Sequence, residues 1–408
     1  MNRSEISVKS KGAPSEALII GGSAAGLFAA YLLACDGVRV RLFDANDVLR
    51  TSPRTLIATS QLTEVLGFFP SEAIVNRINR IDLFSPHRSA TIPMTEPDLV
   101  VERAAIVRLL AEKAIQAGAE IRSGYKFLNF APAVGGVTVK VRNVKLDLIE
   151  EFKTATLIGA DGAFSRVAKI AERNSRATVP ILQAIVRLPS GREADTAQVW
   201  FDPETTPYFY WLIPESHDRG AVGLIAEEGC DAKENLERFL ACRRLEPIEI
   251  QAAKISVYAH TPRPWGRVSD CDIYLVGDAA GQVKVTTVGG LVSGLWGAKA
   301  AAKAILGQGN YGKELGPLRR ELGLHLLMRS VLNRLSSADY DRLLELLDGK
   351  TTHLLGRYTR DELAKMFLRL LVAQPRLVSF ATRLLLPRGV PGRMKRFLWR
   401  RADSGDYI

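Results

Sequence analysis

Apolar residues fall into three kinds of run along this chain. Short unbroken runs at residues 17–20 (ALII), 155–159 (ATLIG) and 273–276 (IYLV) are each closed by glycine, and read as buried strands. Helical spacing marks residues 24–35, rich in Ala and Leu, and residues 99–118, where Ile106, Leu109, Leu110 and Ala114 share a face behind a short strand. It marks residues 291–305 as well, a helix of small residues. Shorter helices are expected over 59–67, ending at Gly67, and over 235–242. Alternation, the third kind, appears at 136–144 and in a hairpin over 81–93 with a Ser-Pro turn. It recurs in a series of short strands from 177 to about 262. From residue 311 the pattern is helical, clearest at 318–333 and 340–347.

The three unbroken runs all lead into glycine turns. The first turn reads G-x-S-x-x-G, with Gly21, Gly22, Ser23, Ala25 and Gly26, and is followed by a helix, a second strand and Asp44. This is the order of a βαβ dinucleotide site. Gly21 lets the chain leave the strand sharply, Gly26 lets the helix lie close to the sheet, and the helix N-terminus offers free N–H groups to a pyrophosphate. Asp44, at the end of the second strand, is placed to accept from ribose hydroxyls. Ser23 stands where the usual motif has a middle glycine; its hydroxyl can still approach a phosphate.

The second run continues into G-A-D-G-x-x-S-x-V, which places Asp161 at a sheet edge facing the same cleft. The third continues into Gly277-Asp278-Ala279-Ala280-Gly281, where Asp278 can accept from a ribityl hydroxyl. Gly289, Gly290 and Leu291 then open a helix whose N–H groups can stabilise negative charge. Arg54 lies in the loop after the second strand and reads either as a cofactor contact or as a surface charge. Arg103 starts a helix and reads either as a phosphate contact or as an exposed charge.

Composition narrows the setting. The 408 residues are 47% apolar, enough for two or three units with a large core. Four scattered cysteines without a C-x-x-C pair argue against a disulfide framework or a zinc site and fit a reducing cytoplasm. Residues 1–16 are polar and mixed in charge, and read as a disordered lead without a signal peptide. The net charge of +11 is concentrated at residues 363–402, where ten Lys and Arg stand among Leu, Phe, Val and Trp with no Asp or Glu. That segment reads as a peripheral contact with an anionic membrane, with a solvated basic helix as the alternative; nucleic acid is disfavoured because no binding motif accompanies the charge.

Taken together, GGSAAG with Asp44, GADGAFSRV at 159–167 and VGDAAG at 276–281 resemble the FAD-dependent hydroxylase and reductase superfamily. The resemblance implies an α/β fold: a Rossmann-like FAD-binding domain with an inserted antiparallel β-sheet substrate domain and a helical C-terminal region. Laid on the chain, it gives an FAD-binding unit over 17–175, with the hairpin near 80–95 joining the substrate sheet. A substrate sheet over 176–262, a return segment over 263–310 and a helical region over 311–408 follow. It also implies FAD as cofactor and NAD(P)H as transient electron donor. Gly281 stands where aromatic hydroxylases usually carry His and geranylgeranyl reductases Gly. Tyr208, Trp211, Pro214, Val222 and Gly223 match the reductases' aromatic signature. Val285 and Val288 depart from the reductases' Pro and Gly, and no Cys follows the second strand.

The chemistry so implied is reduction of a C=C bond in a polyprenyl or other lipid-like substrate. Tyr208, Tyr210 and His217 are the candidate proton donors, with Trp211 beside them; as core packing these aromatics need no ligand. A flavin monooxygenase acting on an aromatic or polyketide-like ring is the rival enzyme, and a flavin-bearing electron-transfer protein the rival from another class.

Overall fold

In the computed structural model, residues 16–47, 54–173, 178–227, 230–259, 263–377 and 380 are described. Of the lead expected over 1–16, residues 1–15 lie outside them, as do the basic residues beyond 380, while Glu16 opens the first strand.

Strand β1 (Glu16–Ile20), helix α1 (Ala24–Cys35) and strand β2 (Arg39–Asp44) open the chain. After β3 (Thr55–Ala58) and the short α2 (Gln61–Leu66) come the hairpin of β4 (Ile74–Phe84) and β5 (Ser89–Glu102), then α3 (Arg103–Gln116) and β6 (Glu120–Ser123). A meander of β7 (Tyr125–Ala133), β8 (Gly136–Asn143) and β9 (Leu148–Thr154) precedes β10 (Thr156–Gly159) and α4 (Arg166–Ile170). Next are β11 (Thr178–Arg187), β12 (Thr196–Trp200), β13 (Tyr210–Pro214), β14 (Arg219–Ile225), α5 (Ala232–Arg243) and β15 (Glu246–Ser256). The chain returns through β16 (Trp265–Val268), β17 (Cys271–Leu275) and α6 (Leu291–Ile305). It goes on through α7 (Tyr311–Glu314), α8 (Gly316–Leu332), α9 (Ser337–Glu345), α10 (Gly349–Gly356) and α11 (Leu363–Ala373).

Two large sheets organise these elements. The first has the order β16-β17-β10-β1-β2-β6, parallel except for β16. Its central strands are apolar throughout because α1, α3 and α6 cover one face and the β7-β8-β9 meander the other, so neither side of β1 or β10 meets water. Register does the functional work here: Ile20 lies beside Gly159, and Gly159 beside Leu275. The three glycine turns therefore leave the sheet at one level, at the carboxyl ends of parallel strands, where open α/β sheets bind ligands.

The second sheet runs β15-β11-β14-β13-β12-β4-β5-β3. It is antiparallel except between β12 and β4, which pair parallel, as two strands that no hairpin joins are free to do. Alternation sends Ala184, Trp200, Tyr210, Leu212 and Leu224 to a core under α5. Val179, Ile225 and, partly buried, Ile181, Trp211 and Ile255 face the other way, toward the first sheet's carboxyl edge. The aromatics of this segment are thus divided between two faces rather than gathered on one.

Candidate active site

The first turn is held by contacts that only glycine permits. Gly21 has φ +106°, and a Cβ on it would stand 2.4 Å from the Ala160 carbonyl oxygen. A Cβ on Gly26 would meet the Gly21 oxygen at 2.3 Å, so α1 is seated directly on the turn. Ser23 caps that helix, its Oγ accepting from Gly26 N at 3.2 Å. Asp44 is oriented by the same turn: Oδ2 accepts from Gly22 N at 2.7 Å and Oδ1 from the Asn46 backbone at 2.9 Å. These residues line about 400 Å³ of space together with Arg103, Gly162 and Arg166. Asp161 lines it too, yet its carboxylate is engaged, accepting from Ser165 Oγ at 2.5 Å and from the backbone of Arg166 and Val167 at the start of α4. Its role here is to fix the turn, not to present a free oxygen.

A second cavity of about 330 Å³ adjoins the first, sharing Ser23, Arg103, Ala160 and Gly162, so the two form one cleft. At the shared end stand Arg54, Arg103 and Asp278. Burial, and then the neighbouring Arg103, push the Arg54 guanidinium down to about 10. Arg103 is also lowered by burial, against the pull of Asp278 and Glu102. The Glu102 carboxylate is occupied at the N-terminus of α3, where it accepts from Ala104 and Ala105 N. Partly buried Asp278 is raised by burial, with both arginines opposing. Two partly buried guanidiniums against one carboxylate leave positive charge in excess, and Arg54 Nε is buried with no hydrogen-bond partner. An anionic, polar ligand meets both needs. The N-terminus of α6 opens on the same point: Gly290 is its cap without a capping side chain, and Gly289, Gly290, Leu291 and Gly294 line the cavity. Gly277, at φ +62°, lets Gly294 of α6 approach closely. Ala25 packs against both. The glycine cradle, the orphan Arg54 Nε and the uncapped α6 fit FAD.

Away from that end the cavity wall is apolar: Leu56, Ile57, Ile81, Val199, Phe209 and Ile255 line it, along with Trp211, Ile213 and Ile225. Of the four residues expected near the chemistry, Trp211 alone reaches it. Tyr210 lies on the opposite face of β13, its ring stacked on Phe239 and its hydroxyl donating to Thr205 Oγ1 at 2.9 Å. Tyr208 is buried beneath the Arg329 guanidinium, 4.4 Å from its ring centroid, and burial pushes its phenol up to about 12. His217 is exposed in the turn joining β13 and β14. Strand alternation removes Tyr210 from the cavity and the exposed turn removes His217, while Tyr208, ahead of β13, packs beneath Arg329 outside the cavity lining.

Sequence reasoning did not find the residues that close the site. Arg360, which lines the cavity, is ion-paired with Asp98, 1% exposed. Its pKa is raised because Asp98 outweighs burial. Next to it, Lys284 Nζ donates to Asp361 Oδ1 at 2.6 Å, and the other Asp361 oxygen accepts from Thr59 Oγ1 at 2.6 Å. The Thr286 hydroxyl donates to His325 Nδ1 at 2.6 Å, and Nε2–H donates to the Arg360 carbonyl at 3.2 Å. Thus the loop before α6 is tied to the helical region by a chain of buried polar contacts.

Known proteins carry the same frame. The FAD binding domain family matches residues 15–306. Geranylgeranyl diphosphate reductase from Synechocystis sp. is 27% identical over 328 residues, 73% of this chain and 76% of its own length. Digeranylgeranylglycerophospholipid reductase 2 from Methanothermobacter thermautotrophicus is 27% identical over 374 residues, 82% of this chain and 92% of its own. Among solved structures, a geranylgeranyl bacteriochlorophyll reductase-like protein from Thermoplasma acidophilum superposes with a TM-score of 0.75 at 19% identity, covering 90% of this chain and 98% of that one. Sequence motifs, cleft and relatives agree: the chain belongs to the FAD binding domain family and is an FAD-dependent oxidoreductase similar to the geranylgeranyl reductases.

Proposed function

We propose that this enzyme reduces carbon–carbon double bonds in a polyprenyl or similarly lipid-like substrate, with NAD(P)H as the transient source of electrons. The observation that carries the reading is the wall of Ile, Leu, Val and Phe running directly from the Arg54–Asp278 end of the cleft. Such a wall suits a hydrocarbon chain, and its relatives act, by their names, on geranylgeranyl compounds. Gly281 supports it further: it closes the third turn at φ +63°, at the place where geranylgeranyl reductases usually carry Gly and aromatic hydroxylases His.

FAD, once bound and reduced by NAD(P)H, would supply two electrons as hydride to one alkene carbon while the other takes a proton, so that the product gains two hydrogens. Gly21, Gly26 and the N-termini of α1 and α6 would hold the cofactor, with Arg54 and Arg103 answering its negative charge. The apolar wall positions the alkene. Among the described residues lining the cavity there is no Tyr, His or Cys to give that proton. The Arg360–Asp98 and Lys284–Asp361 pairs close the side formed by the helical region and limit bulk water.

We also propose peripheral attachment to an anionic membrane, where such a substrate resides. No helix among the described residues is long and apolar enough to cross a membrane, while α11 exposes Phe367 and Val372 beside Lys365 and Arg369.

The test is anaerobic. The FAD-loaded enzyme is reduced with dithionite and mixed with a C20 polyprenyl lipid. Flavin reoxidation with a product heavier by two hydrogens is expected. A flavin that stays reduced until air enters, with a product gaining one oxygen, overturns the reading in favour of a monooxygenase. Parallel reductions with NADH and NADPH identify the donor, and sedimentation with phosphatidylglycerol vesicles reads the membrane contact.

A further inference from the structure

One row of the second sheet interrupts the apolar wall. Across the strands it reads Val199, Trp211, Gly223, Gln183 and Gln251, on β12, β13, β14, β11 and β15 in turn. Alternation turns this row toward the cavity, and both Trp211 and Gln183 line it. Gly223 is the gap in the row. A Cβ there would stand 2.4 Å from Cζ2 and 2.8 Å from Cε2 of Trp211, so the indole lies down across β14, toward Gln183.

Both side chains hold polar atoms that the protein leaves unmet. Trp211 Nε1 is buried with no hydrogen-bond partner. Gln183 is 3% exposed, and its one hydrogen bond is long, Nε2 donating to Gln251 Oε1 at 3.4 Å. Gln251 is itself oriented by donating Nε2 to Glu249 Oε1 at 3.0 Å, which turns its oxygen to Gln183; Gln183 Oε1 accepts no hydrogen bond among the described residues and, unlike Trp211 Nε1, is not fully enclosed. Buried polar groups are normally satisfied, and a wall meant only for hydrocarbon would carry Leu or Phe at these places.

We propose that Trp211 Nε1–H and Gln183 Oε1 form a two-point handle for a hydroxyl on an otherwise apolar substrate. The hydroxyl oxygen accepts from the indole, and its hydrogen is donated to the glutamine carbonyl. An ether or ketone oxygen satisfies one half of the handle, and a hydrocarbon neither. Gln183 is thus a specificity-determining residue. The inference rests on reading this cavity as the substrate site, and it narrows that substrate to lipid alcohols.

The test uses FAD-loaded enzyme and three probes of one length: a C20 prenyl alcohol, its methyl ether and the parent hydrocarbon. Binding to the oxidised holoenzyme is read by calorimetry and by perturbation of the flavin spectrum. The expected order is alcohol, ether, hydrocarbon, each step about tenfold, the size of one net hydrogen bond in a buried site. Gln183→Leu should abolish the alcohol–ether step and tighten the hydrocarbon. Trp211→Phe, which keeps the ring and removes the N–H, should abolish the ether–hydrocarbon step. Wild-type affinities within twofold of one another, or variants that weaken all three probes equally, overturn the handle. Reduced holoenzyme mixed with the same probes separates this from the enzyme's reaction. Reoxidation by all three at equal affinity leaves the reductase and sinks the handle. Graded binding without reoxidation keeps the handle and sinks the reductase.

Discussion

At one end of the cleft, Gly21, Asp44 and Asp161 come from turns of a few residues and are each pinned by backbone N–H groups or carbonyls: Gly21 N to Phe43 O, Asp44 to Gly22 N, and Asp161 to Arg166 and Val167 N. At the other, Ile57, Ile181, Trp211 and Ile255 come one apiece from four strands and touch through side chains alone. The polar end has little freedom, because each of its contacts is fixed by backbone that a Cβ would disturb. The apolar end can exchange Ile for Val or Leu at small cost, since volume and patterning are what it must keep. A cofactor shared by many enzymes is bound at the first kind of surface, and a substrate particular to one is met at the second.

The comparison breaks most visibly at Gly21. Gly21→Ala places a Cβ against the Ala160 backbone at a φ unfavourable to alanine, so we expect about 3 kcal/mol of lost stability and no FAD loading. Denaturant unfolding and the flavin-to-protein absorbance ratio read both. By contrast, Ile181→Val on the apolar wall should load FAD fully and lose about 1 kcal/mol.

Arg54→Met sharpens the contrast within the polar end. It removes a guanidinium whose buried Nε has no hydrogen-bond partner until a ligand arrives, so FAD affinity should fall about fiftyfold while the ligand-free protein is no less stable. A loss of ligand-free stability would show that Arg54 serves the fold instead.

Outside the cavity, between Thr286 and the Arg360 carbonyl, sits His325, whose pKa is pushed down to about 4, first by burial and then by Lys284. The neutral ring is the form the fold accommodates, accepting from Thr286 and donating to the Arg360 carbonyl. Unfolding restores the ordinary value of 6.5, so the unfolded chain binds the extra proton between these values. Stability is therefore full above pH 6.5 and is lost as pH falls toward 4, by about 2 kcal/mol between pH 7 and pH 5. Urea unfolding at the two pH values should show this slope, and His325→Gln should flatten it.

The smallest effects are expected at residues lying off the cavity. Tyr210→Phe should cost about 1 kcal/mol for its bond to Thr205, and His217→Ala under about 0.5 kcal/mol, with turnover changed less than twofold in both. A tenfold fall in turnover at either would return that residue to the chemistry.

How much of this was legible follows from distance along the chain. Residues 17–44 announce strand, turn, helix and acid within one window, and α6 begins and ends where its run of small residues does. The divided aromatics were harder. Alternation separates Tyr210 from Trp211, but the sequence does not say which phase faces the cleft until β13 is paired with β12 and β14. Arg360, Asp361, Lys284 and His325 were illegible for a plainer reason. Asp98 is 262 positions from Arg360, and nothing local to either marks a buried pair. Gln183 carries no local mark, because its significance depends on a glycine three strands further along the chain and on an indole lying toward it.

The bond from Thr59 to Asp361 spans 302 positions. At synthesis rates of roughly 5 to 20 residues per second, the earlier residue waits on the order of 15 to 60 s for the later one to be made. During that interval the glycine turn at Gly21 and its helix can already exist while the far side of the cleft is unwritten. From Ile255, the last of the wall residues, to Asp361 takes on the order of 5 to 20 s, and for that long the cell holds a nascent protein with an apolar wall open to whatever is near.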